Sequence, residues 1–440
     1  MRRAAAALGL SLCLGLASWP GIGTLQAQEF HTLKGHGGPI MDIAVDPASG
    51  RIATASFDNA VGLWTARQPR WFDGHRAAVN AVLFLNAGQA VSAGDDNALI
   101  LWDLATGAAT RKDGHTAKVM ALALSPDGKT VASASWDGTV GLWPLAGGAP
   151  RFLRGHDAGV NDVAFAADGR RLFSASSDGT IRSWDPDSGA GRALVRNGFG
   201  INRMVLHRGG EWLAYGAVDG GTRVVDPDTG AALADFSLDR RPILAMAADA
   251  PQRHLAVGDG HGFIMMIDTQ DWRITRDFRA TLGGPIWALA FSADGQVIHA
   301  GGIEDIVYAW PVAALDEYEP LDPAPRSFQT PAAGMGNGER QFMRKCSICH
   351  ALGPGPSRRA GPTLHGVFGR AAGQIPGYVY SDTLRHSDIV WSDDTLDALF
   401  DEGPDHYIPG SKMPMQRIRA AQDRSDLISF LREATAERKD

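Results

Sequence analysis

Cysteine is scarce in this 440-residue chain, with three in all, and the net charge is −7. So few thiols exclude a disulfide-stapled scaffold. Cys13 lies in the apolar N-terminal stretch, which leaves only Cys346 and Cys349 for the folded protein. The acidic balance and the lack of any basic cluster exclude a nucleic-acid partner. Beyond the N-terminus there is no run apolar enough to span a bilayer. Glycine is abundant instead, with 53 residues, which calls for many tight turns. The length allows two or three domains.

Residues 1–27 read as a secretory signal peptide. Arg2-Arg3 precede an apolar run over 4–16, and a more polar stretch ends at Ala27. Cleavage after Ala27 is expected, since Pro20, Gly21 and Gly23 interrupt a run that could otherwise persist as an anchor. The expected location is therefore the periplasm, with no membrane span after cleavage.

Repetition dominates residues 28–312. Leu63-Trp64, Leu101-Trp102-Asp103, Leu142-Trp143 and Ser183-Trp184-Asp185 recur at 38, 41 and 41 residues. Val225-Asp226, Ile267-Asp268 and Ala309-Trp310 continue the series to seven units. Four units open with Gly-His, at His36, His75, His115 and His156. Short β-rich runs separated by Asp-Gly turns lie between these markers. The pattern resembles the WD-repeat family, whose units are four-stranded propeller blades. That resemblance implies, in each blade, a chain of histidine, hydroxyl, aspartate and tryptophan. It assigns His36, Ser56, Asp58 and Trp64 to blade one, His115, Ser135, Asp137 and Trp143 to blade three, and His156, Ser176, Asp178 and Trp184 to blade four. Blade two has His75, Asp96 and Trp102, with Gly94 at the hydroxyl position; blades five to seven lack most of the set, with His261 and Glu304 where aspartate belongs. Residues 30–33 are expected to close the ring as the outer strand of blade seven. No enzyme site is legible among the propeller histidines.

Residues 313–334 form a proline-rich acidic linker, an extended spacer without a core of its own. Beyond it stands Cys346-Ser-Ile-Cys349-His350, the attachment signature of a c-type haem. The two thiols bond the haem vinyl groups and the adjacent histidine reaches the iron. Tyr407-Ile-Pro-Gly-Ser-Lys-Met413 offers a methionine after a rigid turn. Histidine and methionine together fill the iron's axial positions, which suits electron transfer. Residues 335–440 resemble the mitochondrial-type cytochromes c and their bacterial relatives. The resemblance implies an all-α domain in which Gly338 and Phe342 of a first helix pack on Leu427 and Phe430 of a last one. It implies His350 and Met413 as iron ligands and Pro362 as acceptor for the other His350 ring N–H. It also implies Arg370, Tyr380 and Trp391 as donors to the haem propionates. Phe400 and Leu384 replace a tyrosine and an asparagine of the family pattern, so the pocket should be drier.

The expected protein is multidomain: an all-β seven-bladed propeller followed by an all-α cytochrome c domain. It should carry one electron on one covalent haem c, with redox partner proteins docking on the propeller or at the haem edge. Residues 335–440 are expected to fold and bind haem without the propeller, with the potential set by His350, Met413 and the surrounding pocket. A propeller-containing haem oxidoreductase and a haem-based redox sensor are the alternatives.

Overall fold

The computed structural model describes residues 29–237, 242–281, 283–315, 334–355, 358–414 and 416–436. The expected signal peptide and most of the expected linker fall outside these residues.

Seven four-stranded antiparallel sheets follow one another around a ring. Blade one comprises Ile40–Val45, Ile52–Ser56, Ala60–Thr65 and Gln68–Asp73. Blades two to six repeat this order of four consecutive strands. Blade seven takes Ile286–Phe291, Val297–Gly302 and Ile306–Pro311 and borrows its outer strand, His31–Lys34, from the start of the described chain. His31 pairs with Ala309 and Lys34 with Ile306, so the expected closure is present.

Each blade carries a bulge early in its innermost strand, between Ile40 and Asp42 in blade one and at the equivalent place in the other six. The extra residue leaves the ladder and is free to reach a neighbour. In blades two, four and five it is an asparagine. Asn80, Asn161 and Asn202 donate to the carbonyls of Val119, Ile201 and Ile243 of the following blade, at 3.0, 2.8 and 2.8 Å. One residue on, Asp42 and Asp162 accept the backbone N–H of Val82 and Met204, also in the next blade, at 2.9 and 2.8 Å. Hydrogen bonds thus complement the apolar clusters shared by adjacent sheets.

The polar chain within the blades corrects the hydroxyl assignment. The hydroxyls that meet the histidine Nε2 are Thr54, Ser92, Ser133 and Ser174, each at 2.7 Å. The indole N–H groups of Trp64, Trp102, Trp143 and Trp184 donate to those same oxygens at 2.7–2.9 Å. Blade two therefore has a complete set through Ser92, and Gly94 leaves nothing missing. An indole can only donate, so each of these hydroxyl oxygens accepts from its tryptophan while also meeting the histidine ring. On the other side of the ring, Nδ1 lies 2.7–2.9 Å from Asp58, Asp96, Asp137 or Asp178 and donates to that carboxylate. Burial holds His115 and His156 below the usual histidine range. Ser56, Ser135 and Ser176 lie two residues further along the same strands. Their hydroxyls accept the backbone N–H of Asp58, Asp137 and Asp178, so they brace the turn.

Blades five to seven use other devices. Asp219 pairs with Arg223 at 2.9 Å in blade five. The Asp259 carboxylate caps the His261 turn in blade six at 2.8 Å. In blade seven the Tyr308 hydroxyl donates to Glu304 at 2.5 Å, beside a fully buried Trp310.

The C-terminal region is helical: α1 (Asn337–Lys345), α2 (Asp382–Arg385), α3 (Asp393–Glu402), α4 (Pro404–Tyr407) and α5 (Ala421–Ala434). Helices α1 and α5 cross at Gly338, where a Cβ would lie 2.0 Å from the Asp426 carbonyl oxygen. Phe342 meets Phe430 with ring centroids 5.6 Å apart, and Leu427 is fully buried in the same cluster. Asn337 ties the crossing by donating to Asp423 and Asp426 at 2.8 and 2.6 Å. None of the helices among the described residues is long and apolar enough to cross a membrane.

Candidate haem-binding site

Helix α1 ends by delivering both thiols and the histidine to one place. The Cys346 N–H bonds back to Phe342 at 2.8 Å, and Cys349 and His350 both bond to the Cys346 carbonyl at 3.0 and 2.9 Å. This tight coil turns Cys346, Cys349 and His350 into a cavity of about 330 Å³. Neither cysteine is in a disulfide. Burial pushes the Cys346 thiol up to about 12 and the Cys349 thiol up to about 11, so both are neutral.

The His350 Nδ1 donates to the Pro362 carbonyl at 2.8 Å. Burial outweighs that bond and lowers the imidazole pKa, which leaves the neutral tautomer with a lone pair on Nε2. Gly361 makes room for the ring, since a Cβ there would stand 2.4 Å from its Cε1. The far wall is the turn through Pro409 and Gly410, the latter at φ +77°. Thr383 donates to the Pro409 carbonyl at 2.8 Å, and the Met413 N–H donates to Ser411 Oγ at 3.1 Å. Met413 lines the cavity that His350 enters. Met415 lies outside the described residues.

Arg370, Tyr380 and Trp391 line the same cavity. Arg370 and Trp391 are held side by side by backbone pairing: Trp391 N–H to Arg370 O at 3.0 Å and Gly369 N–H to Trp391 O at 2.8 Å. The Arg370 guanidinium donates to the carbonyls of His365 and Thr363 at 2.7 and 3.0 Å, which braces the loop under the cavity. Tyr380 is buried, and its hydroxyl accepts the Ile375 N–H at 3.4 Å. Leu384 and Phe400 present apolar surface to the same space, as their sequence positions imply.

Two residues of the site went unread in the sequence. Tyr378 donates to the Ala360 carbonyl at 2.5 Å and stacks edge-on against Tyr380 at 4.7 Å; burial pushes its phenol up to about 12. Arg359 donates to the Ser347 and His350 carbonyls and so fixes the coil that carries the thiols. Burial pulls its pKa below the usual guanidinium value. The only hint for either was a place in the loop flanking Gly361.

The donor set suits a c-type haem: two thiols, a neutral imidazole with Nε2 unprotonated, a thioether and an apolar enclosure. Comparison with known proteins agrees. The Cytochrome c family model matches residues 336–435. Cytochrome c of Sesamum indicum is 40% identical over 109 residues, which span 24% of this chain and 96% of that protein. The chain belongs to the cytochrome c family. Cytochrome c of Arabidopsis thaliana is 44% identical over 98 residues, 22% of this chain and 87% of that protein, and that of Cochliobolus lunatus is 42% identical over 98 residues, 22% and 90%. This cytochrome c carries electrons on a covalently bound haem c. Ahead of that domain, the WD domain, G-beta repeat model matches residues 27–65, 67–103, 109–144 and 149–185. Those are the four units with complete polar chains; the three weaker units read in the sequence are blades five to seven of the structure.

Proposed function

We propose that the chain is an exported, periplasmic one-electron carrier whose propeller docks a redox partner. The observation that carries the reading is a largely apolar cavity lined by both His350 and Met413 together with the two cysteines. When bound, haem supplies a one-electron iron couple. Cys346 and Cys349 hold it covalently, and Pro362 keeps Nε2 of His350 directed at the metal. Met413 would supply the second protein ligand to the iron. Arg370, Tyr380 and Trp391 offer donors toward the propionates. Leu384 and Phe400 exclude water. No group in this scheme makes or breaks a substrate bond, which favours carrier over enzyme.

Partner docking is supported by apolar side chains at one end of the ring. The loops joining second to third strands, and those joining one blade to the next, share that end. Trp136, Phe199 and Val218 on such loops of blades three to five are 48%, 57% and 47% exposed. Export rests on the sequence pattern of residues 1–27.

One preparation tests the core of this reading. The purified chain should hold one covalent haem, begin at residue 28, and give a low-spin six-coordinate spectrum with a methionine–iron charge-transfer band. Met413→Ala should abolish the band and leave the covalent haem in place. A band that survives this substitution would rule out Met413 as the ligand.

A further inference from the structure

Four blades open with Gly-His, and the next residue donates its backbone N–H to the blade's aspartate in every case. Gly37, Arg76, Thr116 and Asp157 do so at 2.9, 2.9, 3.1 and 3.0 Å. Three of those positions carry side chains, so the blade itself does not require glycine there. Gly37 is also outside the left-handed region that would favour it. What a Cβ on Gly37 would meet is the haem domain: the Arg358 carbonyl oxygen at 1.6 Å and its carbonyl carbon at 2.1 Å.

The contact continues through the Arg358 side chain. Its guanidinium grips Asp73 with two hydrogen bonds at 2.9 and 3.1 Å. The same group lies over the Trp71 ring at 4.3 Å, and Trp71 in turn meets His36 edge-on at 4.7 Å. A fork on a carboxylate combined with stacking on an indole is arrangement-specific in a way a lysine contact is not. Asp73 ends the outer strand of blade one, while Gly37 precedes its inner strand. Beside this clamp, Phe57, Arg76 and Ala77 from the loops of blades one and two line the same cavity as Cys349, His350 and Met413.

We propose that this end of blades one and two is the seat of the chain's own haem domain, and that the haem cleft is completed by the propeller. Phe57 and Ala77 form an apolar cover over the open side of the cleft, and Arg76 places a cation at its rim. The Arg358–Asp73–Trp71 clamp holds the cover down, with Gly37 allowing the backbones to meet. The haem edge on this side is then closed to outside molecules while the clamp holds. A redox partner meets the haem by another side, or after the clamp opens.

The test uses the full-length haem-loaded chain and two readouts: its radius of gyration by small-angle X-ray scattering, and the rate of haem reduction by ascorbate. Gly37→Val wedges the contact and should expand the particle and speed reduction. Thr116→Val, the same change one blade pair away, should alter neither. Arg358→Asp and Asp73→Arg should each speed reduction by about fivefold, which is what losing one partly exposed ion pair gives. Combining them should restore most of the parental rate, because the charges are exchanged. Gly37→Val behaving like Thr116→Val in both readouts would overturn the seat. Failure of the combined variant to slow reduction relative to the single ones would overturn the clamp.

Discussion

The propeller fills its interior with its own side chains: Phe173, Tyr308 and Trp310 are fully buried, and the polar chains of blades one to four are each satisfied within one sheet. The helical domain closes instead around about 330 Å³ of space lined by Leu384, Trp391 and Phe400. The first interior is complete as translated, while the second is complete only with haem. Stability of the two regions should therefore respond to different insults.

The largest difference should follow from Cys346→Ala combined with Cys349→Ala. At ~24 cal/mol per Å³ of cavity, leaving that space empty costs up to about 8 kcal/mol, comparable with the whole stability of a small domain. The helical domain should lose its cooperative unfolding transition while the propeller keeps its own, as read by calorimetry. Two intact transitions would show that the domain holds itself without haem.

Next in size is Ser133→Ala in blade three. It deprives both Trp143 and His115 of a partner in a buried setting, at about 2–4 kcal/mol in total. Ser135→Ala should cost about 1 kcal/mol, since it removes only the turn brace. Urea unfolding of the two variants ranks the hydroxyls, and equal losses would undo the distinction drawn between them. Gly338→Ala should cost the helical domain about 1–3 kcal/mol by forcing α1 from α5, with the propeller transition unmoved.

The smallest effect concerns acid. Burial depresses His115 and His156, so their contribution is fully present above about pH 6.5 and is lost as pH falls through their lower folded values. Asp178 is pulled down to about 2 despite burial, by hydrogen bonds from Thr180 and His156. Its contribution is present above the ordinary carboxylate value of about 3.8 and fades between there and about pH 2. The propeller's melting temperature should thus decline in two stages on acidification. Asp178→Asn should shrink the more acidic stage, to which Asp96 and Asp137, also held below the usual carboxylate range, contribute, and leave the other.

Much of this was legible before any coordinates. The 41-residue spacing and the Cys346–His350 motif were enough to specify the ring and the haem domain. The hydroxyl assignment slipped because residues 54 and 56 point to the same face of one strand, so either fits a template matched by residue type. The ten-residue step from Thr54 to Trp64, repeated from Ser92 to Trp102, was the better guide. Joint residence of propeller and haem-domain residues around one cleft had no period or motif to announce it. The relative placement of the two domains was therefore not legible in the sequence. A single glycine among four equivalent positions was its trace.

The strand His31–Lys34 has a consequence for biogenesis. Its partner, Ile306–Pro311, is synthesised last among the blades, so the opening strand has no partner until all seven blades have been made. During that interval the opening strand must stay unclaimed by any neighbouring edge, its own or that of another molecule. The ring behaves like a clasped bracelet, whose first link waits for the last. Crowded nascent chains are therefore most exposed to wrong pairing just before the haem domain emerges.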